Sequence, residues 1–226
     1  MTDCVPRELG ARAAAGVLLA GLMPLVDYFR LADAFDRIGR FGIAVRGRAH
    51  SVLLFARRPL RQLEGATIAV TEETSTSAVL LRLLLEQRYE ITPQAYLRGS
   101  HPEADALLLI GDEALRVRQT NRQYPYEIDL AFEWWLWQHL PFVFALWAIR
   151  KDAAPEDRKQ VELGLVKALA LNTPRLEAIA QEASPALGVP APDLHAYLSG
   201  FIYRLSAPEE AGIARFKELI DESHLL

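Results

Sequence analysis

Up to Arg150 the chain sets short apolar runs between polar turns, and beyond it apolar residues recur at helical spacing. Residues 6–15 read as a helix, 17–23 as a buried strand and 25–34 as the next helix. "FGIAV" (41–45) and "SVLLFA" (51–56) are predicted strands on either side of the basic turn "RGRAH", and Pro59 closes the second. "TIAV" (67–70) is a further strand, and apolar spacing over 78–87, with Arg82 and Glu86 four apart, predicts a helix. A strand at 94–97, a fully buried strand in "ADALLLIGD" ending at Gly111, and a helix over 112–121 follow.

Residues 126–130 read as a short strand, "FEWWLWQHL" as a tryptophan-rich helix and "PFVFALWAI" as another buried strand. Three amphipathic helices then fill 154–183, 191–202 and 207–223, with Ala-Pro openings that suit a first helical turn. The pattern is α/β followed by a helical C-terminal tail. Strands 51–56 and 143–149 bracket a βαβαβ-like middle portion. The expectation is therefore two lobes, a discontinuous first lobe of 1–54 and 141–226 and an inserted second lobe of 55–140, with a ligand cleft between them.

Composition narrows the partners. The chain of 226 residues is 51% hydrophobic and 24% charged, as expected of a globular protein, and its net charge of -4 with no basic tract argues against nucleic acid. Its single cysteine, Cys4, rules out an internal disulfide and a thiolate metal cluster, and the five histidines lie far apart without H-x-x-x-H spacing. No metal is expected. Arg7 and Arg12 before an apolar run resemble a signal peptide, but Asp3 and Glu8 sit among them and no A-x-A pattern follows. No stretch is long enough to span a membrane, so a cytoplasmic protein is expected.

"VTEETSTSAVLLRLLLEQ" places a strand end, a turn dense in hydroxyls and a helix start in succession. A helix start presents unpaired N–H groups and the positive end of the helix dipole, so Thr74, Ser75, Thr76 and Ser77 surround a natural carboxylate or phosphate site. The plain alternative is an N-cap, for which one hydroxyl suffices.

The segments "VPRELGARAAAGVLLAGLMPLVDYFRL", "RAHSVLLFARRPL", "VTEETSTSAVLLRLLL", "ALLLIGDEAL" and "LPFVFALWAIR", in this order, resemble the chorismate dehydratases of the futalosine route to menaquinone. The resemblance covers essentially the whole chain. It implies a two-lobed fold of the type II periplasmic-binding-protein kind used as a cytoplasmic enzyme, and dehydration of chorismate to 3-[(1-carboxyvinyl)oxy]benzoate. No cofactor is implied. Loss of the ring hydroxyl with a neighbouring proton makes the ring aromatic, so the site must mainly bind two carboxylates, orient the proton and support the departing hydroxide. In the family the substrate's enolpyruvyl carboxylate has been proposed as the base, which fits a chain without a His or Lys acid-base cluster.

Matched residue by residue, the resemblance implies that Ser51 donates to substrate from the cleft wall and that Ser75, Thr76 and Ser77 hold a carboxylate, with Ser51 and Thr76 as the catalytic pair. Gly111 and Asp112 match the I-G-D motif at a strand's C-terminal end, where α/β sites lie. The bland roles are a turn cap for Ser51 and a helix cap for Asp112. Trp134, Trp135 and Trp137 read as core residues or a ligand-stacking surface beside Glu133, His139 as a capping group, and Cys4 as inert.

Family members begin with a strand and turn of the type I-G-x-V-x-Y-x-N-x-x-P-L before anything like "VPRELG", which this chain reaches by residue 5. The resemblance therefore implies that a strand of the first lobe and its cleft-facing asparagine are missing, through a late start, a shortened relative, or a partner chain that completes the sheet. Of these, the late start is favoured. Rival functions are a non-catalytic binding protein for a small carboxylate, an inactive remnant, and 1,4-dihydroxy-6-naphthoate synthase, whose family relies on a cleft histidine not matched here. A homo-oligomer is left open.

Overall fold

The structure, a computed structural model, describes residues 12–13, 15–72 and 74–225. Most of the helix expected at 6–15, and Cys4 with it, lies outside them. Two sheets organise the described residues.

The first sheet contains β1 (Ala20–Pro24), β2 (Phe35–Val45), β8 (Phe142–Arg150) and β9 (Phe201–Arg204) in the order β1-β8-β2-β9, with every pair antiparallel. The second contains β3 (Val52–Ala56), β4 (Thr67–Val70), β5 (Ala95–Arg98), β6 (Ala106–Ile110) and β7 (Tyr126–Asp129) in the order β5-β4-β6-β3-β7. Here β4 runs parallel to β5 and β6, while β3 is antiparallel to β6 and β7. The uninterrupted apolar run of β6 suits its central place, because both of its faces are covered.

The helices whose bounds lie within the described residues are α1 (Leu25–Arg30), α2 (Thr76–Leu83), α3 (Gly111–Thr120), α4 (Leu130–Gln138), α5 (Pro155–Asn172), α6 (Leu176–Leu187), α7 (Ala191–Ser199) and α8 (Ala207–Glu222). A continuous apolar core joins both sheets through α2 and α4, with Leu54, Ile68, Leu80, Trp134 and Phe216 inside it.

Several elements differ from the pattern. The first strand begins at Ala20, not Val17, because Gly16 turns the chain at φ +72 and leaves Val17 75% exposed. Strand β2 reaches back to Phe35, with its ladder interrupted between Arg37 and Gly42; buried Phe35, Ile38 and Phe41 fall three apart, so no alternation marks the extension. The helix expected to run to Gln87 turns α-helical to π-helical over Leu84–Arg88. Leu83, Leu84 and Leu85 are all buried, and a widened turn keeps three successive leucines facing inward.

The tail is helical but not entirely so. The helix expected over 154–183 breaks at Thr173–Arg175, where Pro174 lacks the N–H that an α-helix interior needs. Phe201 and Ile202, read as the end of a helix, open β9 and pair with β2 at Val45 and Ala44. This return brings the C-terminal aromatic residues onto the first sheet.

Strand β3 does not bracket the middle portion as expected. All five of its residues pair inside the second sheet, between β6 and β7. The chain thus passes between sheets over 46–51 and again over 130–141.

Candidate functional site

A cavity of about 420 Å³ opens between the sheets. Its first wall consists of Leu22, Pro24, Ile43, Phe144 and Ala145 with Phe201 and Tyr203 of β9; its second consists of Ser51, Val52, Thr74 to Ser77, Ile110 and Gly111; Tyr197 and Leu198 of α7 close it. Ser51, Ser75, Thr76, Ser77 and Gly111, singled out from the sequence, therefore meet in one place. Its size suits a small ligand.

The hydroxyl-rich turn divides its work. Thr74 Oγ1, one residue before the N-cap Ser75, accepts the backbone N–H of Ser77 at 3.2 Å and so satisfies a donor of the first turn of α2. Ser75 Oγ donates to Asp27 at 2.9 Å, and Thr76 Oγ1 accepts the N–H of Val26 at 3.2 Å. Both partners stand at the start of α1, so these two bonds cross from one side of the cleft to the other. Thr74, Thr76 and Ser77 are buried, which fixes their rotamers by packing.

Ser51 ends the first crossing segment and is buried beside the cavity. Its carbonyl accepts the N–H of Gly111 at 2.8 Å, tying the crossing to the turn that opens α3. Gly111 sits at φ +59, a conformation that favours glycine, and a side chain there would project into open space. Asp112 is not part of the lining. Its side chain is 68% exposed and lies 3.9 Å from Arg116, one turn along the same helix, and it does not cap α3.

Pattern reading passed over Asp129, which is buried and bonds across the crossing. Its carboxylate accepts the N–H groups of Ala49 at 3.2 Å, His50 at 2.8 Å and Phe132 at 3.1 Å. One side chain thus fastens the outward and return passages together while capping α4. A helix-start Asp before "LAFEWW" was the available signal. His50, held by it at φ +62, has its imidazole pKa lowered, first by burial, with Arg118 and Arg48 adding to the effect and Asp129 opposing it.

The tail aromatics were missed too. Tyr197 lines the cavity beside Ser51, and burial raises its pKa, the nearby Ser51 hydroxyl opposing and the charge of Asp112 assisting. Its ring meets Phe201 edge-on, with centroids 4.9 Å apart. Phe201 and Tyr203, two apart on a strand, face the same way. The alternation in "FIYR" carried that information, but the adjoining helical spacing masked it.

Other candidates fall elsewhere. Trp134 is fully buried against Phe142 and Phe216, and neither it nor Trp135 or Trp137 lines the cavity, so the tryptophans are not a stacking surface for its ligand. Glu133 pairs with Arg88 at 2.8 Å and accepts from Tyr89. His139 caps α4 in the left-handed conformation at φ 55.

Among the described residues that line the cavity, none carries a charge. What it offers an anion is hydroxyl and backbone N–H groups, in a setting where hydrogen bonds are strengthened by low polarity. The described residues contain no group of three His, Cys, Asp or Glu placed to hold a metal, and no helix long and apolar enough to cross a membrane.

A family model described as menaquinone biosynthesis matches residues 1–222. The chain belongs to this family. It is 33% identical over 236 aligned residues to the chorismate dehydratase of Thermus thermophilus, across 96% of this chain and 84% of that protein. Among solved structures it is similar to protein AF1704 from Archaeoglobus fulgidus, with a TM-score of 0.74 and 20% identity over 100% of this chain and 86% of that one. It is also similar to the periplasmic aliphatic sulphonate binding protein SsuA from Escherichia coli, with a TM-score of 0.63 and 18% identity over 97% and 79%. These last two establish the fold of this menaquinone-biosynthesis protein: two α/β lobes of the substrate-binding-protein kind.

Proposed function

We propose that this protein is a chorismate dehydratase, converting chorismate to 3-[(1-carboxyvinyl)oxy]benzoate and water in menaquinone biosynthesis. The observation that carries the reading is the uncharged, hydroxyl-lined cavity between the lobes, in a chain 33% identical to a chorismate dehydratase over 96% of its length. A substrate that brings two carboxylates, and aromatises on losing water, needs positioning and hydrogen-bond donors more than a strong acid or base.

Ser51 and Thr76 face the reacting ring in this reading, with Ser75 through its backbone N–H, Ser77 and the Gly111 turn holding carboxylate oxygens. Asp112 acts only at a distance, through its charge. The first lobe comprises 1–54 and 141–226 and the second 55–140, a division supported by sheet membership except at β3, whose pairing draws the first crossing back to 46–51. The protein works in the cytoplasm, and no cofactor takes part.

The test is incubation of purified protein with chorismate, followed by proton NMR. Appearance of a benzoate ring with the enolpyruvyl ether intact supports the reading. Chorismate recovered unchanged, but bound, would turn it towards a carboxylate-binding protein.

A further inference from the structure

We infer that Tyr197 is a catalytic residue of the elimination, its phenol donating to the departing hydroxyl in the cavity that it lines together with Ser51. The inference rests on the dehydratase reading. It begins from a shortage: the hydroxyl must leave as water, and among the described residues lining the cavity there is no His, Lys, Asp or Glu to supply a proton.

The O–H groups that remain are unequal. Phenols are far stronger acids than alcohols, with a reference pKa near 10, so the two tyrosines of the lining outrank its serines and threonines. Tyr203 has its proton engaged, donating to the carbonyl of Leu198 at 3.2 Å. Ser75 has donated to Asp27. Of the two phenols, Tyr197 is the one whose proton is not given to a backbone carbonyl, and it shares the lining with the hydroxyl of Ser51.

Its placement fits the role. Ala180 of α6, Val189 of the turn after it and Leu194 of α7 pack against Leu115 of α3, which anchors Tyr197 over the cleft from the second-sheet side. Phe201 supports its ring from the first-sheet side. The same tyrosine also walls a second cavity of about 260 Å³, bounded by His50, Arg118, Gln119 and Asp193. Tyr197 thus stands between the two cavities. Burial holds the phenol protonated through the neutral range, as a donor requires.

The step balances. A base, the substrate's own carboxylate in the proposal above, takes the ring proton, and the C–H electron pair becomes the new ring π bond. The C–O bond breaks, its electron pair leaves with oxygen, and the Tyr197 proton completes a water molecule. The phenolate then recovers a proton from the carboxylic acid just formed.

Replacing the phenol decides the matter, with two variants measured beside the wild type. Tyr197→Phe is expected to lower kcat about 100-fold, the scale for one donor to developing negative charge, with KM changed less than about threefold. Tyr197→3,5-difluorotyrosine keeps the shape and lowers the phenol pKa. The basic limb of the kcat profile should move to lower pH with it, a shift that lost packing would not produce. A kcat for Tyr197→Phe within threefold of wild type, or a basic limb unmoved by fluorination, overturns the inference and leaves the dehydratase reading standing. A wild type that does not dehydrate chorismate overturns both.

Discussion

Ser75 donates a 2.9 Å hydrogen bond to the Asp27 carboxylate, joining the start of α2 to the start of α1 across the cleft. Beside it the Val26 N–H reaches Thr76 at 3.2 Å. Two adjacent hydroxyls thus hold the closed face of the cavity, and the turn that looks like an anion site is in part already occupied by a carboxylate of the protein itself. Ser75→Ala should cost about 1 kcal/mol, lowering Tm by roughly 2–4 °C for a chain of this size. A double-mutant cycle with Asp27→Ala checks the pairing: a coupling of at least about 0.5 kcal/mol is expected, and additivity within about 0.3 would deny it.

Asp129 is the fastening of the two crossings. In Asp129→Asn one acceptor oxygen becomes an NH₂ donor facing a backbone N–H, either that of His50 or those of Ala49 and Phe132. A buried donor left without an acceptor costs about 1–3 kcal/mol. Chemical denaturation should show that loss, and hydrogen exchange should show faster opening around His50 than in β6; unchanged protection there would contradict the role.

His50 makes stability depend on acidity. Burial lowers its pKa in the folded state below the ordinary value of 6.5, so the folded protein prefers the neutral ring and the unfolded chain takes up the proton first. Its contribution is present above about pH 6.5 and is lost as pH falls through the unfolded value towards the lower folded one. His50→Asn, which tolerates the left-handed backbone, should flatten the decline in stability between about pH 7.5 and 5.5. An unaltered slope in denaturant titrations would show that other groups set it.

What was legible in the sequence was whatever obeyed a short period. β6 and β3 could be read because their apolar runs are continuous, and the hydroxyl turn because four such side chains in a row exceed what a cap requires. β9 was not, since Phe201 follows a helix after only Gly200 and its pairing partner, β2, lies far back in the chain. Tyr197 escaped for the same reason: a residue on an apparently ordinary tail helix reaches the cleft only because β9 folds back onto the first sheet. Asp129 carried a readable cap signal, but its bonds to Ala49 and His50 depend on two distant segments meeting. Local pattern carries no information about such meetings.

The most direct measurement follows chorismate by mass spectrometry with the wild type and a Ser51→Ala, Thr76→Ala double variant under identical conditions. The account predicts loss of one water from chorismate with the wild type and a rate lower by at least about 100-fold with the double variant, as for removal of hydrogen bonds that position and stabilise a reacting group. Chorismate left intact by the wild type, or a double variant as fast as the wild type, would contradict it.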